Sequence, residues 1–195
     1  YATLVGEPGR GIATIIEMVH HTRLDCAVAA AGLMRQAVAR AIHHARHRRA
    51  FGKRLIEHDL MARVLAALDL EAEAAMLLGF RAAQLIDEGP KALARLAVAV
   101  AKYWNNKRCP LVTVEAMEAL GGAGYIEDSV LPRLYREAPL KRHDLGQSLA
   151  EGSEGRGALV EDLHGVQHAY RVALLDPVLG ALFGRWLPRA FKGLL

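Results

Sequence analysis

The stretch from about Asp59 to Asp87 constrains the fold most. Met61, Val64, Leu65, Leu68, Ala72, Ala75, Met76 and Gly79 recur at i, i+3 and i+4 spacing, which places them on one face of a long helix. Asp59 stands where an N-cap belongs, and Gly89-Pro90 stops the pattern. Such a helix needs partners of similar length to cover its apolar face. The chain offers them. From about Ile12 to His47, Val28, Ala31, Val38 and Ile42 recur at helical spacing, and Phe51-Gly52 ends that stretch. A third segment runs from about Lys91 to Leu120, with Pro110 as an expected kink. A shorter fourth spans roughly Asp128 to Glu137. Long helices joined by short loops predict an all-α fold, an antiparallel four-helix bundle.

The chain has 195 residues and is 52% hydrophobic with few aromatics, which agrees with a helical core. We expect three parts. Residues 1–10 read as a short strand and linker, because Glu7-Pro8-Gly9 breaks any helix. Residues 11–140 form the bundle. Residues 141–195, interrupted by Gly146, Gly152, Gly155, Gly157 and Gly165, form an irregular tail, partly disordered or in short helices. The first residue is Tyr1 and the opening YATLVGEPGRG reads like mid-protein sequence, so a fragment is expected. Cys26 and Cys109 show no metal or CxxC spacing, and a reduced, cytoplasmic setting is the simplest reading. No membrane span or signal peptide is visible. The net charge of +4 permits nucleic-acid binding without demanding it.

Two local features carry chemistry. In Arg46-His47-Arg48-Arg49-Ala50-Phe51-Gly52-Lys53, several cations meet an aromatic at a helix end. Alone it reads as a solvated helix terminus favoured by the dipole, or as a diphosphate site with a bidentate arginine. The turn Gly121-Gly122-Ala123-Gly124, followed by Tyr125, ends the third helix. Alone it reads as a helix stop, or as a place where a phosphate approaches the backbone. His43 and His47 are i, i+4 neighbours, yet no carboxylate sits at the offset a metal site needs, so no metal is expected.

Taken together, Thr22-Arg23-Leu24-Asp25, Arg48 to Lys53, Glu118 to Tyr125 and Leu134-Tyr135-Arg136-Glu137-Ala138 occur in the order and spacing of the C-terminal helical domain of acyl-CoA dehydrogenases. The chain resembles that family over about residues 1–140, and is most similar to its AidB-like, adaptive-response subgroup. The resemblance implies FAD as cofactor, an acyl-CoA substrate, an electron-transfer acceptor and a homo-oligomer, dimer or tetramer, in which the flavin reaches a neighbouring subunit's bundle. It implies that Arg48 holds the FAD pyrophosphate and Phe51 lines the flavin site. Gly121 and Gly122 would let the backbone approach the adenosine diphosphate end. Glu118 stands where many members have Gln, and a carboxylate beside a diphosphate repels unless an arginine screens it. Arg23 and Asp25 would lie near the acyl pocket, or form a structural ion pair.

The implied reaction is α,β-desaturation of an acyl thioester, which needs a carboxylate base for the α-proton. One family position for that base corresponds to Thr22, which cannot serve. The other falls at Leu145, within His143-Asp144-Leu145-Gly146, where the family has a segment such as Thr-Ile-Trp-Glu. A one-base slip of the reading frame would account for the difference. Glu151, six residues later, is the remaining candidate base. The expectation is a C-terminal fragment inactive by itself. Two alternatives come from other classes: a DNA-associated flavoprotein using Arg171, Arg185, Arg189 and Lys192, or a helical oligomerisation module.

Overall fold

The computed structural model describes residues 1–139. Helix α1 (Gly11–His47) leads through strands β1 (Arg49–Ala50) and β2 (Lys53–Arg54) and a single 3-10 turn (Leu55–Glu57) into α2 (Asp59–Glu88). Helix α3 (Lys91–Glu118) follows, then the one-turn α4 (Gly122–Tyr125) and a last helical stretch, α5, covering residues 131–139. The first ten residues hold a bend and a turn but no strand. A strand is stable only beside a partner, and the sole sheet among the described residues is the two-stranded β1–β2 hairpin.

Two apolar clusters define the bundle. One unites Ala41 and Ala45 near the end of α1, Leu65 and Leu68 near the start of α2, Val112 and Ala116 near the end of α3, and Leu131, Leu134 and Ala138 of α5. The other unites Ala27 of α1, Ala82 of α2, and Val98 and Ala101 of α3. The end of one helix therefore meets the start of the next, so the three long helices run antiparallel and α5 closes the fourth side. Alanine dominates the buried face of α1: Ala27, Ala30, Ala31, Ala37, Ala41 and Ala45. Small side chains let helix axes approach to about 8 Å.

That closeness allows one polar contact to join all three long helices. Asn105, fully buried in α3, donates from Nδ2 to the Ala27 carbonyl of α1 at 3.1 Å and to the Ala75 carbonyl of α2 at 2.9 Å. Gly79 of α2 makes room beside the same amide, its missing Cβ lying 3.9 Å from Asn105 Nδ2. Two ion pairs tie the half-exposed flanks of α2 to its neighbours. Arg35 of α1 meets Asp69 at 2.9 Å, and Arg108 of α3 grips Glu71 through Nε at 3.0 Å and Nη2 at 2.6 Å.

Two boundaries differ from the sequence expectation. The N-cap of α2 is His58, and Asp59 is the first helical residue, where its carboxylate faces the positive helix end. Helix α3 runs through Pro110 without a break. The last helix starts at residue 131 rather than at Asp128, because the Ser129 hydroxyl oxygen accepts from the Leu131 N–H at 3.3 Å and acts as the cap. The tail from residue 140 lies outside the described residues.

Replacing Asn105 should expose the weight of the interhelical contact. Asn105→Ala is expected to lower the unfolding free energy by about 2 kcal/mol, through two lost hydrogen bonds and a small void. Asn105→Asp should cost more at pH 7.5, since a buried carboxylate would face two carbonyl oxygens. Urea unfolding followed by circular dichroism measures both.

Candidate functional site

The cationic segment folds as a hairpin at the end of α1. Its two central residues, Phe51 and Gly52, both have positive φ, 51° and 84°. That combination marks the type I′ turn whose twist suits a two-residue hairpin, normally built with Asn-Gly. Phenylalanine is a costly choice there, because a bulky Cβ in the left-handed region is strained. Phe51 is also 94% exposed, touching only the His58 ring edge-on at 6.2 Å. The hairpin is braced from below. His58 Nε2 donates to the Ala50 carbonyl at 3.1 Å, the Leu55 N–H to the Arg48 carbonyl at 2.9 Å, and Arg49 Nη2 to the Gly52 carbonyl at 3.3 Å. Glu57 accepts from the Arg54 N–H at 2.7 Å and from Arg54 Nε at 2.8 Å. The Arg54 side chain, and then its backbone N–H, hold the Glu57 carboxyl below its ordinary value.

Arg48 follows directly on α1, its N–H bonded to the His44 carbonyl at 2.8 Å. Partial burial, then the nearby positive charge of Arg48, then His43, hold His44 below the usual histidine value. His43 and His47 stack at 4.3 Å, and His47 Nδ1 donates to the His43 carbonyl at 2.7 Å. Among the described residues no third metal-ligand type completes a cluster with them.

At the end of α3 each glycine has its own role. Gly121 sits at φ 63°, ψ −143°, a conformation open essentially to glycine alone, and its N–H closes on the Glu118 carbonyl at 2.8 Å. Gly124 is required by packing, since a Cβ there would run into the Met117 carbonyl. Gly122 meets neither demand: a Cβ on it would face open space. Of the two glycines expected at the cofactor, Gly121 alone takes a conformation that requires glycine, and the neighbouring Gly124 is structural. Beyond the turn, Arg136 grips Glu127 through two bonds, 2.7 and 3.2 Å, and that pairing holds the Glu127 carboxyl low.

The antiparallel topology puts the hairpin and the glycine turn at the same end of the bundle, where the ends of α1 and α3 share one apolar cluster with the start of α2. Arg48, Phe51, Glu118, Gly121 and Gly122 are all exposed there. No ion pair among the described residues engages Glu118, so the arginine screen it would need beside a diphosphate is not formed. Arg23 and Asp25 are not part of this group. They lie on the other half of α1, roughly 35 Å away at 1.5 Å per helical residue. Two positions apart, they diverge around the helix, and the alternative ion pair between them is not among the pairs formed. Glu151, Arg171, Arg185, Arg189 and Lys192 lie outside the described residues.

With this geometry in place, comparison with known proteins decides the family. The family model described as acyl-CoA dehydrogenase, C-terminal domain, matches residues 9–148. The chain belongs to the acyl-CoA dehydrogenase family. It is 44% identical over 154 residues to the acyl-CoA dehydrogenase-type protein AidB of Escherichia coli, which covers 77% of this chain and 27% of that protein. Among solved structures, butyryl-CoA dehydrogenase from Megasphaera elsdenii superposes with a TM-score of 0.66 at 30% identity, over 70% of this chain and 35% of that one. ACDH-11 of Caenorhabditis elegans, solved in complex with C11-CoA, gives a TM-score of 0.65 at 33% identity, over 70% of this chain and 24% of that one. This acyl-CoA dehydrogenase domain therefore spans about a quarter to a third of the length of these relatives. No helix among its described residues is long and apolar enough to cross a membrane.

The glycines can be separated by experiment. Gly124→Ala should destabilise the domain by about 3 kcal/mol, as overpacking against rigid backbone does. Gly122→Ala should change stability by less than about 0.5 kcal/mol, as open surface positions do. Thermal unfolding of the two variants beside the parent chain checks both values.

Proposed function

We propose that this chain supplies the C-terminal bundle of an FAD-dependent acyl-CoA dehydrogenase that desaturates an acyl-CoA thioester, and that it is inactive by itself. The observation that supports this reading is the placement of a cationic hairpin and an open glycine turn at the same exposed end of the bundle.

The residues there fit the cofactor in kind. Arg48, Arg49 and Lys53 supply cations for a diphosphate, and an arginine fork can bind it bidentately. Phe51 offers a rigid aromatic face held away from the bundle. A built Cβ at Gly121 or Gly122 meets nothing within 4 Å, so backbone is accessible there. Glu118 is the one opposing charge, and it weakens anion binding on its side. When bound, FAD would supply the hydride acceptor of the reaction. The chain's own part is to hold, cover and orient. Arg48 would neutralise phosphate, Phe51 would cover a planar ring, and the Gly121 turn would let the dinucleotide lie close to α3.

Glu151 is the remaining candidate for the proton-abstracting base, since Thr22 has no carboxylate; the simpler reading is that the chain holds no positioned base, in keeping with its inactivity by itself. Arg23 and Asp25 are proposed for the acyl end of a ligand and do not share a site with Arg48 in the same chain. An acyl-CoA, a second copy of the chain and an electron acceptor are the partners this reading includes.

Full exposure of these groups makes this a half-site, which lacks the enclosure that affinity needs. The chain is therefore expected to purify without stoichiometric flavin and to bind added FAD weakly. Arg48→Ala should abolish the remaining binding in a fluorescence titration. Phe51→Asn should weaken binding while raising the unfolding free energy by about 1 kcal/mol, through relief of the strained turn. Yellow protein with one flavin per chain would refute the half-site. Unchanged binding in Arg48→Ala would refute the assignment of the hairpin.

A further inference from the structure

Between Asp25 and Glu57 the chain holds no acidic residue. Cations crowd the second half of that stretch. Arg35 is held by Asp69 and Arg54 by Glu57. No ion pair among the described residues engages Arg40, Arg46, Arg48, Arg49 or Lys53. The end of α1 is a carbonyl end, which attracts cations and repels anions. An anion taken up there depends on the side chains to offset that repulsion.

His44 lies inside this group. It stands four residues after Arg40 and four before Arg48, so the three share one stripe of the helix. The Arg48 N–H closes on the His44 carbonyl at 2.8 Å. His43 and His47 form the adjoining stripe, their rings 4.3 Å apart. His44 is half-buried, whereas Arg40, His43, His47 and Arg48 are exposed. Among the described residues the elements around this end bring no acid to bear on His44. Glu57 of the 3-10 turn is committed to Arg54, and Glu137 of α5 to Arg133. The other acids of these elements are Asp59 of α2 and Glu115 and Glu118 of α3, and the other cations include Arg49, Lys53 and Arg63. None of them acts on His44. Its partial burial, then the charges of Arg48 and His43, oppose its protonation.

An anion held by Arg48 reverses this balance, because it offsets the neighbouring positive charge and adds a negative one. We propose that an anion bound at Arg48 draws a proton onto His44, so that this end of α1 takes a phosphate-type ligand more tightly in mildly acid than in mildly alkaline solution. The proposal rests on the diphosphate reading of the hairpin and adds its dependence on pH. By linkage, a group that holds its proton better in the complex than in the free chain makes affinity rise as pH falls, by up to about tenfold per pH unit. FAD and sulfate keep a constant charge from roughly pH 6 to 8, the range in which histidine titrates, so such a trend belongs to the protein.

Nitrogen-15 magnetic resonance of the imidazole rings in the 195-residue chain tests this, with pH titrations run without anion, with sulfate and with FAD. His44 should titrate low in the free chain and move up with either anion, and Arg48→Ala should remove that movement. FAD affinity, read by fluorescence, should rise about three- to tenfold from about pH 8 to about pH 6. His44→Gln should flatten that profile while binding at the alkaline end persists, and His47→Gln should keep it. A His44 that titrates alike with and without both anions overturns the proposal, as does a profile kept in His44→Gln and lost in His47→Gln. FAD bound through Arg48 with no pH trend sinks the coupling and leaves the flavin reading standing. Sulfate that moves His44 where FAD does not upholds the coupling and sinks the flavin reading.

Discussion

A single side-chain amide inside α3 reaches the backbone of both neighbouring long helices, and the rest of the bundle is arranged so that it can. Asn105 sits where a helix of this pattern would carry an apolar residue, and it donates to carbonyls of α1 and α2 at once. Only closely approaching helices bring both acceptors within reach. The alanine face of α1 and the bare backbone of Gly79 provide that approach. An alanine-lined core gains less from burial, per residue, than a leucine core does. It is also less particular about register, because small side chains interlock weakly. A buried polar contact that fits one alignment only compensates for this, in the manner of a buried Asn in a coiled coil.

Fixing the register of the long helices also fixes what happens at their ends. The antiparallel order brings the end of α1, the start of α2 and the end of α3 into one cluster, and the hairpin and glycine turn come with them. Both features hold backbone conformations that ordinary residues resist. Gly121 has the residue its conformation demands. Phe51 does not: an Asn or Gly would suit the turn better, yet a phenylalanine stands there with its ring in solvent. A strained backbone and an exposed aromatic are each unfavourable in an isolated domain. Under the function proposed above, their coincidence among cations would serve a charged, planar ligand.

The long helices were legible in the sequence because glycine and proline punctuate them and apolar spacing fills them. Membership of the acyl-CoA dehydrogenase family was legible from four ordered motifs. The hairpin was not, because Phe51-Gly52 lacks the Asn-Gly signature and its strands are two residues long. The cap of α2 was missed because Asp59 is a better capping residue than His58, though backbone geometry places His58 there. Asn105 was missed because asparagine in a helical run reads as solvent-facing. The signal available was its position, four residues from both Ala101 and Cys109 on the buried face. The roles of Gly121 and Gly124 could not be told apart without φ values and the place of the Met117 carbonyl.

The central claim is that helix register brings the hairpin and the glycine turn to one end and leaves Arg23 far from both. Pulsed electron paramagnetic resonance measures this directly, in a chain whose Cys26 and Cys109 are replaced by alanine. Spin labels are placed at Lys53 and Gly122 in one sample, and at Arg23 and Gly122 in another. The account predicts a longer distance for the second pair, by roughly the 30–40 Å of helix that separates Arg23 from the hairpin. Equal distances, or a shorter one for the Arg23 pair, would contradict it.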